Sequence, residues 1–554
     1  MDLLRVVLHG FQSEIEVQRG DNLFAAVRAA GLGIDSECGG RGTCGACRVR
    51  FLEGAPPAAP EDRLLLGAAA VKAGWRLACQ ASVERDCRIV IPALAPAASL
   101  RILTEAAVPE LAEERRGGRR LATGYGAAID IGTTTVVCYL VDLARACQIG
   151  VIAFANPQQA FGADVVSRIV YAHQGGERLA EVQGCLVRAI EEHLVELCSR
   201  HSVPLDAVSN LTAVGNLTMM HLFRGVDPWP LGVAPYRPVF TETPPVGAGV
   251  LGFQRLGHAR VRLLPGVGGQ IGSDAVAGLL ALGLAGWRKP SLFIDLGTNG
   301  EIVLLSRRMA VGCSCAAGPA FEGVHISSGM AAIAGAVERV EEEDGGLRLD
   351  TIDGAPPLGL CGSGLADAVT VLLRRGLLLP SGRLLGPGQV PADVPSDLRA
   401  RVREDGGQRR FVVHQDELGK SILLSQADIR QVQLAKAAIR TGAESVLEEA
   451  GVEPESIERV FVGGAFGSSM RAESLLALGM LPEALGGRIH PVGNVAGMGA
   501  KLALILPERL REAGRLARRI QHLSLAEKPD FSSRFASYLR FPEPVEQLSG
   551  TAKG

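Results

Sequence analysis

Two patterns of apolar residues divide the chain into a short N-terminal part and a longer C-terminal part. In the first part, alternating apolar and polar positions predict strands, and one run with a helical period predicts a helix. The predicted elements are the strands 2–9, 14–18, Arg48–Leu52 and Cys87–Ile91, and a helix from Asn22 to Ala30 that Asp21 caps and Gly31 ends. Together they predict a small sheet domain over residues 1–92.

From Tyr125 onward the pattern changes to short apolar runs that alternate with helical periods, which predicts an α/β domain over residues 125–519. Its strongest predicted helix runs from Gln426 to Ala450, with Ser425 as N-cap and Gly451 as stop. Residues 93–124 are rich in Ala, Pro, Glu and Arg, and predict a flexible linker whose ends lie roughly 30 Å apart. Residues 520–554 predict a tail that packs on the larger domain.

Composition argues against several classes of protein, namely those that bind nucleic acid, span a membrane or are secreted. The net charge of −2 gives no basic surface for nucleic acid. No apolar run reaches the length of a membrane span, and the first residues lack the pattern of a secretory signal, so we expect a cytoplasmic protein without a membrane partner. Glycine is in excess, at 69 of 554 residues against a usual share of about 7%. The glycines cluster beside predicted strands, which is typical of phosphate-binding turns.

Four cysteines carry the most specific motif of the N-terminal part. Cys38, Cys44 and Cys47 form C-x5-C-x2-C in a glycine-rich loop, and Cys79 follows later. Three thiolates from one loop and a fourth from elsewhere hold a [2Fe–2S] cluster in ferredoxins. The alternatives are a zinc site, which usually shows two C-x2-C pairs, and disulfides, which the scattered remaining cysteines do not favour. The hairpin, helix and cysteine loop therefore predict a β-grasp ferredoxin domain.

The remaining cysteines predict packed thiols, with one open case. Cys313 and Cys315 lie in a predicted loop rich in Gly and Ala, where a role near a reaction centre stays possible.

Two segments of the larger domain share one design. Each joins a buried strand to a glycine–threonine turn and a second strand: Asp130-Ile-Gly132-Thr133-Thr134 and Asp295-Leu-Gly297-Thr298-Asn299. Glycine lets backbone N–H groups approach phosphate oxygens, the hydroxyls donate further hydrogen bonds, and an aspartate at a strand end can hold Mg²⁺. The alternative is a pair of β-hairpins with capping aspartates. The repetition of the design favours a phosphate site.

Further segments extend this pattern. A strand over Ile457–Val462 ends in Gly463-Gly464, a turn open enough for adenine or ribose. Two helices rich in Gly and Ala, Ser273–Leu284 and Asn494–Leu504, suit a hinge between two lobes. In this order the set resembles the actin, sugar-kinase and Hsp70 superfamily. The resemblance implies a multidomain α/β protein whose ferredoxin domain precedes a two-lobed actin-like (ribonuclease H-like) ATPase domain.

The superfamily resemblance also implies roles for residues. Asp130 and Asp295 are expected to organise Mg²⁺ and the attacking water, and Asp274 is either a catalytic residue or a helix cap. The expected phosphate contacts are Gly132, Thr133, Thr134, Gly297, Thr298 and Asn299, and the expected nucleoside contacts are Gly463 and Gly464.

A closer resemblance covers nearly the whole chain. The segments that carry it are the cysteine loop, A-I-D-I-G-T-T-T, F-G-A-D-V-V-S-R-I (161–169), P-G-V-G-G-Q-I-G-S-D (265–274), D-L-G-T-N-G-E, G-G-A-F-G and the tail motif L-R-F-P (539–542). Together they resemble the reductive activators of corrinoid proteins. The resemblance implies a [2Fe–2S] cluster, ATP and Mg²⁺ as cofactors, and ATP-dependent transfer of one electron to a Co(II) corrinoid, which restores Co(I). It also implies a corrinoid protein of a methyltransferase system as partner, an upstream reductase, and a homodimer.

Other functions stay open at this point. An activator of a radical dehydratase would use an iron–sulfur centre between ATPase domains, for which Cys313 and Cys315 are the candidate pair. A ferredoxin electron carrier with a vestigial ATPase scaffold is a second alternative, against which the intact Asp130 and Asp295 weigh. A kinase would leave the cysteine motif unexplained. The sequence does not name the corrinoid partner, its methyl donor or the reductase, nor whether ATP binding or hydrolysis drives the transfer.

Overall fold

A computed structural model of the chain describes residues 3–8, 13–30, 34, 40–43, 45, 47–91, 124–284, 289–417, 419–464 and 467–543. Of the predicted features, Cys38, Cys44, nearly all of the linker 93–124 and the last residues of the tail lie outside these ranges. In the described part of the chain, no helix combines the length and apolar character that a bilayer crossing needs.

The N-terminal domain is a five-stranded sheet in the order β2-β1-β5-β3-β4. Its elements are β1 (Leu3–Leu8), β2 (Ser13–Gln18), α1 (Leu23–Ala29), β3 (Arg48–Glu53), α2 (Pro60–Leu66), α3 (Ala68–Lys72), β4 (Trp75–Leu77) and β5 (Cys87–Val90). The β1–β2 hairpin is antiparallel, and β5 runs parallel to β1. The inward positions of the sheet and of α1 form one apolar core, as the alternation predicts. The β-grasp prediction is confirmed.

The start of α1 differs in detail from the prediction. The side chain of Asn22, not of Asp21, accepts a hydrogen bond from a helix N–H, that of Ala25 at 3.2 Å. Asp21 instead accepts from the Gln18 N–H at 2.8 Å and closes the preceding turn. Both residue types favour caps and turns, so the sequence alone did not separate them.

The first lobe of the larger domain (residues 124–284) is built on a six-stranded sheet in the order β10-β11-β9-β6-β7-β8. Its elements are β6 (Tyr125–Ile131), β7 (Thr135–Asp142), β8 (Cys147–Ala155), α4 (Val165–Ala172), α5 (Gly176–Arg200), β9 (Val208–Gly215), α6 (Leu217–Arg224), α7 (Trp229–Gly232), β10 (Val246–Gly247), β11 (Arg260–Leu263) and α8 (Ser273–Ala281). Strands β6, β7 and β8 are an antiparallel meander, and β9 runs parallel to β6.

The second lobe (residues 289–543) repeats this plan in a sheet of the order β22-β21-β12-β13-β14-β23. Its elements are β12 (Ser291–Leu296), β13 (Gly300–Leu305), β14 (Ala310–Cys315), β15 (Ala336–Glu343), β16 (Gly346–Thr351), β17 (Gly359–Leu360), α9 (Gly362–Arg374), α10 (Ser396–Ala400), β18 (Val402–Asp405), β19 (Gln408–Gln415), β20 (Ser421–Ser425), α11 (Gln426–Glu449), β21 (Arg459–Gly463), α12 (Ala472–Ala477), β22 (Ile489–Gly493), α13 (Val495–Ile505), α14 (Pro507–Arg519), β23 (Gln521–His522) and α15 (Phe531–Ser537).

The two lobes share a topology, which explains why the aspartate–glycine–threonine segment occurs twice. In each lobe the first strand leads into an antiparallel meander, and the next long strand of the sheet pairs with it in parallel. Both segments therefore occupy the same hairpin, between β6 and β7 and between β12 and β13. The prediction of a two-lobed, ribonuclease H-like fold is confirmed.

Helices α8 and α13 pack between the two sheets. They belong to one apolar cluster that also contains residues of the first sheet, such as Val137, and of the second, such as Phe293. The helices approach closely, because a side chain at Gly499 would place its Cβ 2.0 Å from the carbonyl oxygen of Ala277. The small residues noted in the sequence make this contact possible.

The helix α11 begins with the predicted cap. The Ser425 hydroxyl accepts from the Asp428 N–H at 3.2 Å, and the Asp428 carboxylate accepts from the Ser425 N–H at 2.7 Å. This reciprocal pair is a capping box. The C-terminal segment lies across the same helix: Gln433 donates to the Leu539 carbonyl at 2.7 Å, and Phe541 is buried.

Candidate iron–sulfur and nucleotide sites

The N-terminal domain brings two of the four predicted cysteine ligands together. Cys47 and Cys79 are both buried, and their sulfur atoms lie 3.3 Å apart. A disulfide bond would need about 2.05 Å, so these two residues are not joined to each other. The backbone connects them directly, since the Ala78 N–H donates to the Cys47 carbonyl at 2.8 Å. Cys38 and Cys44 lie outside the described residues.

Three glycines before Cys47 adopt a left-handed backbone conformation. Gly40, Gly42 and Gly45 have φ angles of +87°, +75° and +74°, in the left-handed region that favours glycine. A side chain at Gly42 would place its Cβ 2.5 Å from the Gln80 amide nitrogen. That amide also donates to the Cys79 sulfur at 3.7 Å, a contact that stabilises a thiolate. These residues fit a cluster held by thiolates.

A buried carboxylate that the sequence analysis missed positions Cys79. Asp62 accepts from the Leu77 N–H at 2.7 Å and from the Ala59 N–H at 2.8 Å. It therefore ties α2 to β4, two residues before the cysteine. The available signal was weak, because an aspartate in the first turn of a helix is common on protein surfaces.

In the larger domain, three carboxylates converge from both lobes. Asp130 lies in β6, Asp295 in β12 and Asp274 in the first turn of α8. Removal from water, together with the smaller effect of the Asp274 charge, raises the pKa of Asp130 to about 7 and that of Asp295 to about 8. Burial also raises the pKa of Asp274 to about 6, against the stabilising N–H of Ala275. These electrostatic interactions place the three carboxyl groups near one another, although within the described residues no three acidic, histidine or cysteine side chains form a ready-made metal site. Mg²⁺ keeps several waters and needs only one or two protein carboxylates.

The sequence left Asp274 as either a catalytic residue or a helix cap, and the structure has features of both. Its carboxylate accepts from the Ala275 N–H at 2.8 Å, so it does bind the start of α8. The same side chain is close enough to Asp130 and Asp295 for their charges to interact. It therefore lies at the carboxylate group while it contacts the helix end.

Two further polar residues belong to this group and were missed by sequence reasoning. Asn494, the N-cap of α13, donates to the Asp130 carboxylate at 2.8 Å. Glu301 is buried in β13, accepts from the Ser314 hydroxyl at 3.2 Å, and has its pKa raised well above the usual value by burial and by Asp274 and Asp295. The signal for Glu301 was its place directly after the second glycine turn.

The first glycine turn is held from behind by three side chains. Asn156 donates to the Gly132 carbonyl at 2.8 Å, and Arg168 donates to the Thr133 carbonyl at 2.6 Å. Gln159 donates to the Thr134 carbonyl at 2.6 Å. Within the described residues no acceptor is found for the N–H groups of Thr133 and Thr134. The turn thus keeps its donors for a ligand.

Arg168 was contained in a sequence motif but not predicted as a site residue. Its side chain has no exposed area, and burial lowers its pKa to about 10. A second hydrogen bond reaches the Gly162 carbonyl at 2.8 Å. The guanidinium therefore adds a positive charge directly behind the first turn, where an anion in front of it would be stabilised.

The two glycine turns meet at Glu322. The Thr134 hydroxyl of the first turn donates to one carboxylate oxygen at 3.0 Å, and the Thr298 hydroxyl of the second turn donates to the other. Sequence reasoning missed Glu322, because it lies 24 residues beyond Thr298 in a loop without a motif of its own.

The Gly463–Gly464 turn lies against the second glycine turn. Gly463 pairs with Asp295 across the parallel strands β21 and β12. Gly464 has φ of +93°, and a Cβ there would lie 2.3 Å from the Leu296 carbonyl oxygen and 2.4 Å from the Asp295 carboxylate. Glycine is therefore needed for this turn to close over Asp295.

The prediction that Cys313 and Cys315 lie in a loop is wrong. Both belong to β14 and are buried, and burial raises the pKa of Cys315 to about 12. The Cys315 thiol lies 3.2 Å from the Gly300 carbonyl oxygen. Inward-facing small thiols on a central strand are packing residues, which removes the argument for a cluster at this pair.

Three family models match this chain. Family models described as the 2Fe–2S iron–sulfur cluster binding domain, the RACo middle region and the C-terminal domain of RACo (the ASKHA domain) match residues 6–84, 125–286 and 289–551. The fold and these matches define a [2Fe–2S] ferredoxin domain joined to an ASKHA-type domain.

Relatives that match most of the chain indicate its family. The chain is 35% identical to the corrinoid activation enzyme RamQ of Eubacterium limosum, over 76% of this chain and 71% of RamQ. It is 25% identical to the [Co(II) methylated amine-specific corrinoid protein] reductase of Methanosarcina barkeri, over 75% and 77% of the two chains. A solved structure described as a reductive activator for corrinoid, iron–sulfur protein covers 99% of this chain and is itself fully covered, with 30% identity and a TM-score of 0.68. The chain belongs to the family of reductive activators of corrinoid proteins.

Proposed function

We propose that the protein is an ATP-dependent reductive activator, which passes one electron from its N-terminal domain to the Co(II) corrinoid of a methyltransferase-system protein and restores Co(I). Family membership supports the reaction class, because two relatives are named for corrinoid activation and for reduction of a corrinoid protein. The observation that carries the ATP-dependent part is the convergence of Asp130, Asp274 and Asp295 from both lobes beside two glycine–threonine turns.

In this proposal the thiols of Cys38, Cys44, Cys47 and Cys79 hold the [2Fe–2S] cluster. When bound, the cluster supplies the one-electron chemistry. The chain contributes the loop of left-handed glycines and the amide of Gln80, which donates to the Cys79 sulfur. Asp62 keeps the β4 end that carries Cys79 in register with Cys47.

The larger domain binds Mg²⁺ and ATP in the proposal. Asp130 and Asp295 hold the cation and the attacking water, and Asp274 lies close enough to take part. The threonine turns and Asn299 contact the phosphates, with Arg168 behind the first turn. Gly463 and Gly464 form the wall toward the nucleoside. A cation bound there would offset the burial and the mutual repulsion that raise the carboxyl pKa values of Asp130 and Asp295.

Energetic coupling gives a reason for joining these domains. Plant-type clusters have reduction potentials of about −400 mV. For a one-electron acceptor, each ~59 mV by which its potential lies below that of the donor lowers the equilibrium constant of the transfer tenfold. Coupling to a nucleotide is typically worth about 1–3 kcal/mol, or roughly 5- to 150-fold. The acceptor is therefore expected to have a very low potential, as Co(II) in a corrinoid does when reduced to Co(I).

In this proposal the chain consists of a ferredoxin domain (1–92), a linker (93–124), an ATPase domain (125–519) and a tail (520–554). Two copies of the chain form a homodimer. A separate reductase loads the cluster. The linker provides the length that lets one ferredoxin domain meet two partners in turn.

The proposal is tested in an anaerobic mixture of the purified protein, a chemical or enzymatic reductant and a Co(II) corrinoid protein. Loss of the Co(II) absorbance is followed with and without Mg²⁺ and ATP. We expect Co(I) to accumulate only when the protein, reductant and ATP are all present. Equal reduction without ATP would contradict the ATP-dependent part, and no reduction of any corrinoid protein would contradict the reaction class.

A further inference from the structure

Glu322 is fixed in the second lobe by the loop that carries it. The loop follows β14, and the neighbouring Phe321 side chain is buried in the core of this lobe. On the other side, Gly323 has φ of +81°, and a Cβ there would lie 2.5 Å from the Met330 nitrogen. The Gly318 N–H ties the same loop to the Thr298 carbonyl at 2.9 Å. The carboxylate therefore moves with the second lobe.

From this position Glu322 contacts both lobes. One oxygen accepts from the Thr298 hydroxyl of its own lobe, and the other accepts from the Thr134 hydroxyl of the first lobe at 3.0 Å. The remaining hydroxyl of the first turn, that of Thr133, accepts from the Asn216 amide at 3.0 Å and keeps its own O–H. Glu322 thus occupies one hydroxyl donor of each turn, that of Thr134 and that of Thr298.

A carboxylate and a phosphate group compete for such donors. Both are anions that accept hydrogen bonds from hydroxyl groups, and two anions cannot share the same pair without mutual repulsion. Arg168 stabilises negative charge in this region, and its interaction with the Glu322 charge is favourable. A polyphosphate entering between the turns would have to displace the carboxylate from at least one threonine.

We propose that Glu322 is a latch between the lobes, which holds Thr134 and Thr298 together and which the phosphates of a nucleotide must open. This inference rests on the proposed nucleotide binding. Phosphate binding and separation of the two threonine turns are then a single event. Glu322 is a positioning residue, and it lowers nucleotide affinity because its hydrogen bonds must break before the phosphates bind.

The first test measures binding of Mg²⁺ with a non-hydrolysable ATP analogue by calorimetry. We expect Glu322→Ala to bind about tenfold more tightly than the unmodified protein, and Glu322→Gln to fall between them, because glutamine keeps one acceptor and loses the charge. Glu455→Ala, which removes an exposed carboxylate of the same lobe, is the matched control and should bind like the unmodified protein. Weaker binding by Glu322→Ala would overturn the latch, because it would make the carboxylate part of the nucleotide site.

The second test needs no nucleotide. Hydrogen–deuterium exchange is measured in peptides that cover residues 132–135 and 297–299. Both turns should exchange several-fold faster in Glu322→Ala and in Thr134→Val than in Glu455→Ala, because each of the first two variants removes the bond between the lobes. Unchanged exchange in both variants would overturn the latch. Failure of the unmodified protein to bind any adenine nucleotide would instead contradict the proposed function, and the exchange result would still decide the latch.

Discussion

The Asn494 side chain donates a 2.8 Å hydrogen bond to the carboxylate of Asp130, 364 residues earlier in the chain. Its amide oxygen accepts from the Gly497 N–H at 2.8 Å, so one side chain caps α13 and holds one carboxylate of the group formed by Asp130, Asp274 and Asp295. Because α13 packs between the two lobes, this bond joins the inter-lobe helix to the site.

This dual contact predicts the effect of Asn494→Ala. Loss of the cap costs about 1 kcal/mol of unfolding free energy, and Asp130 loses its donor. We expect a lower melting temperature together with at least a tenfold lower ATP turnover. Asn210→Ala is the control, because the Asn210 amide contacts Ser209 and Arg262 and no carboxylate. Turnover that stayed at the unmodified level would show that Asp130 does not depend on Asn494.

Cys47→Ser should abolish the cluster. Serine offers a hydroxyl in place of the thiolate that ligates iron, so the anaerobically reconstituted variant should lose its visible absorbance. Cys87→Ser removes another buried thiol of the same domain, whose pKa burial raises to about 11, and should keep the absorbance. A fully coloured Cys47→Ser protein would exclude Cys47 as a ligand.

Asp295→Asn should leave a folded protein that turns over ATP slowly. The variant keeps the volume of the side chain but removes a charge that the cation and the attacking water are expected to need. We expect a fall in ATP turnover of about a hundredfold or more. Asp405→Asn, on the exposed strand β18, should retain full turnover. Equal rates in both variants would remove Asp295 from the site.

Lys436 predicts a pH dependence of stability. Burial, with a smaller contribution from the Arg440 charge, lowers its pKa to about 7, whereas an unfolded lysine titrates near about 10.4. Between these values the unfolded chain binds more protons, so the unfolding free energy should rise with pH, by about 1.4 kcal/mol per pH unit from this group.

Chemical unfolding between pH 7 and pH 10 measures this slope. Lys436→Met should remove the rise, while Lys420→Met, at an exposed position, should keep it. An identical slope in the protein and in Lys436→Met would show that Lys436 stays protonated in the fold, held by its contacts with the Arg540 carbonyl and the Phe541 ring.

The sequence predicted those parts of the site that are local in the chain. Each glycine turn lies within a few residues of the aspartate that precedes it in the sequence. Ser425 likewise caps the helix that begins at the next residue. Local hydrogen bonding and backbone freedom dictate such features, and they can be inferred without knowledge of the fold.

The residues that were missed depend on contacts between distant segments. Arg168 reaches Thr133, and Glu322 reaches Thr134 across 188 residues. Nothing near Glu322 distinguishes it from a solvated glutamate. The error at Cys313 and Cys315 has another cause: small residues on a central strand have the same composition as a glycine-rich loop, and only the sheet reveals that they face the core.

The central claim, that ATP drives an unfavourable electron transfer, is tested most directly at equilibrium. The protein and a Co(II) corrinoid protein are held at a fixed low potential by a redox buffer, and the final Co(I)/Co(II) ratio is measured spectroscopically with and without Mg²⁺ and ATP. A gain in this ratio with ATP of roughly 5- to 150-fold is the predicted result, absent in Cys47→Ser and in Asp295→Asn. An identical final ratio with and without ATP, reached only at different rates, would contradict the claim.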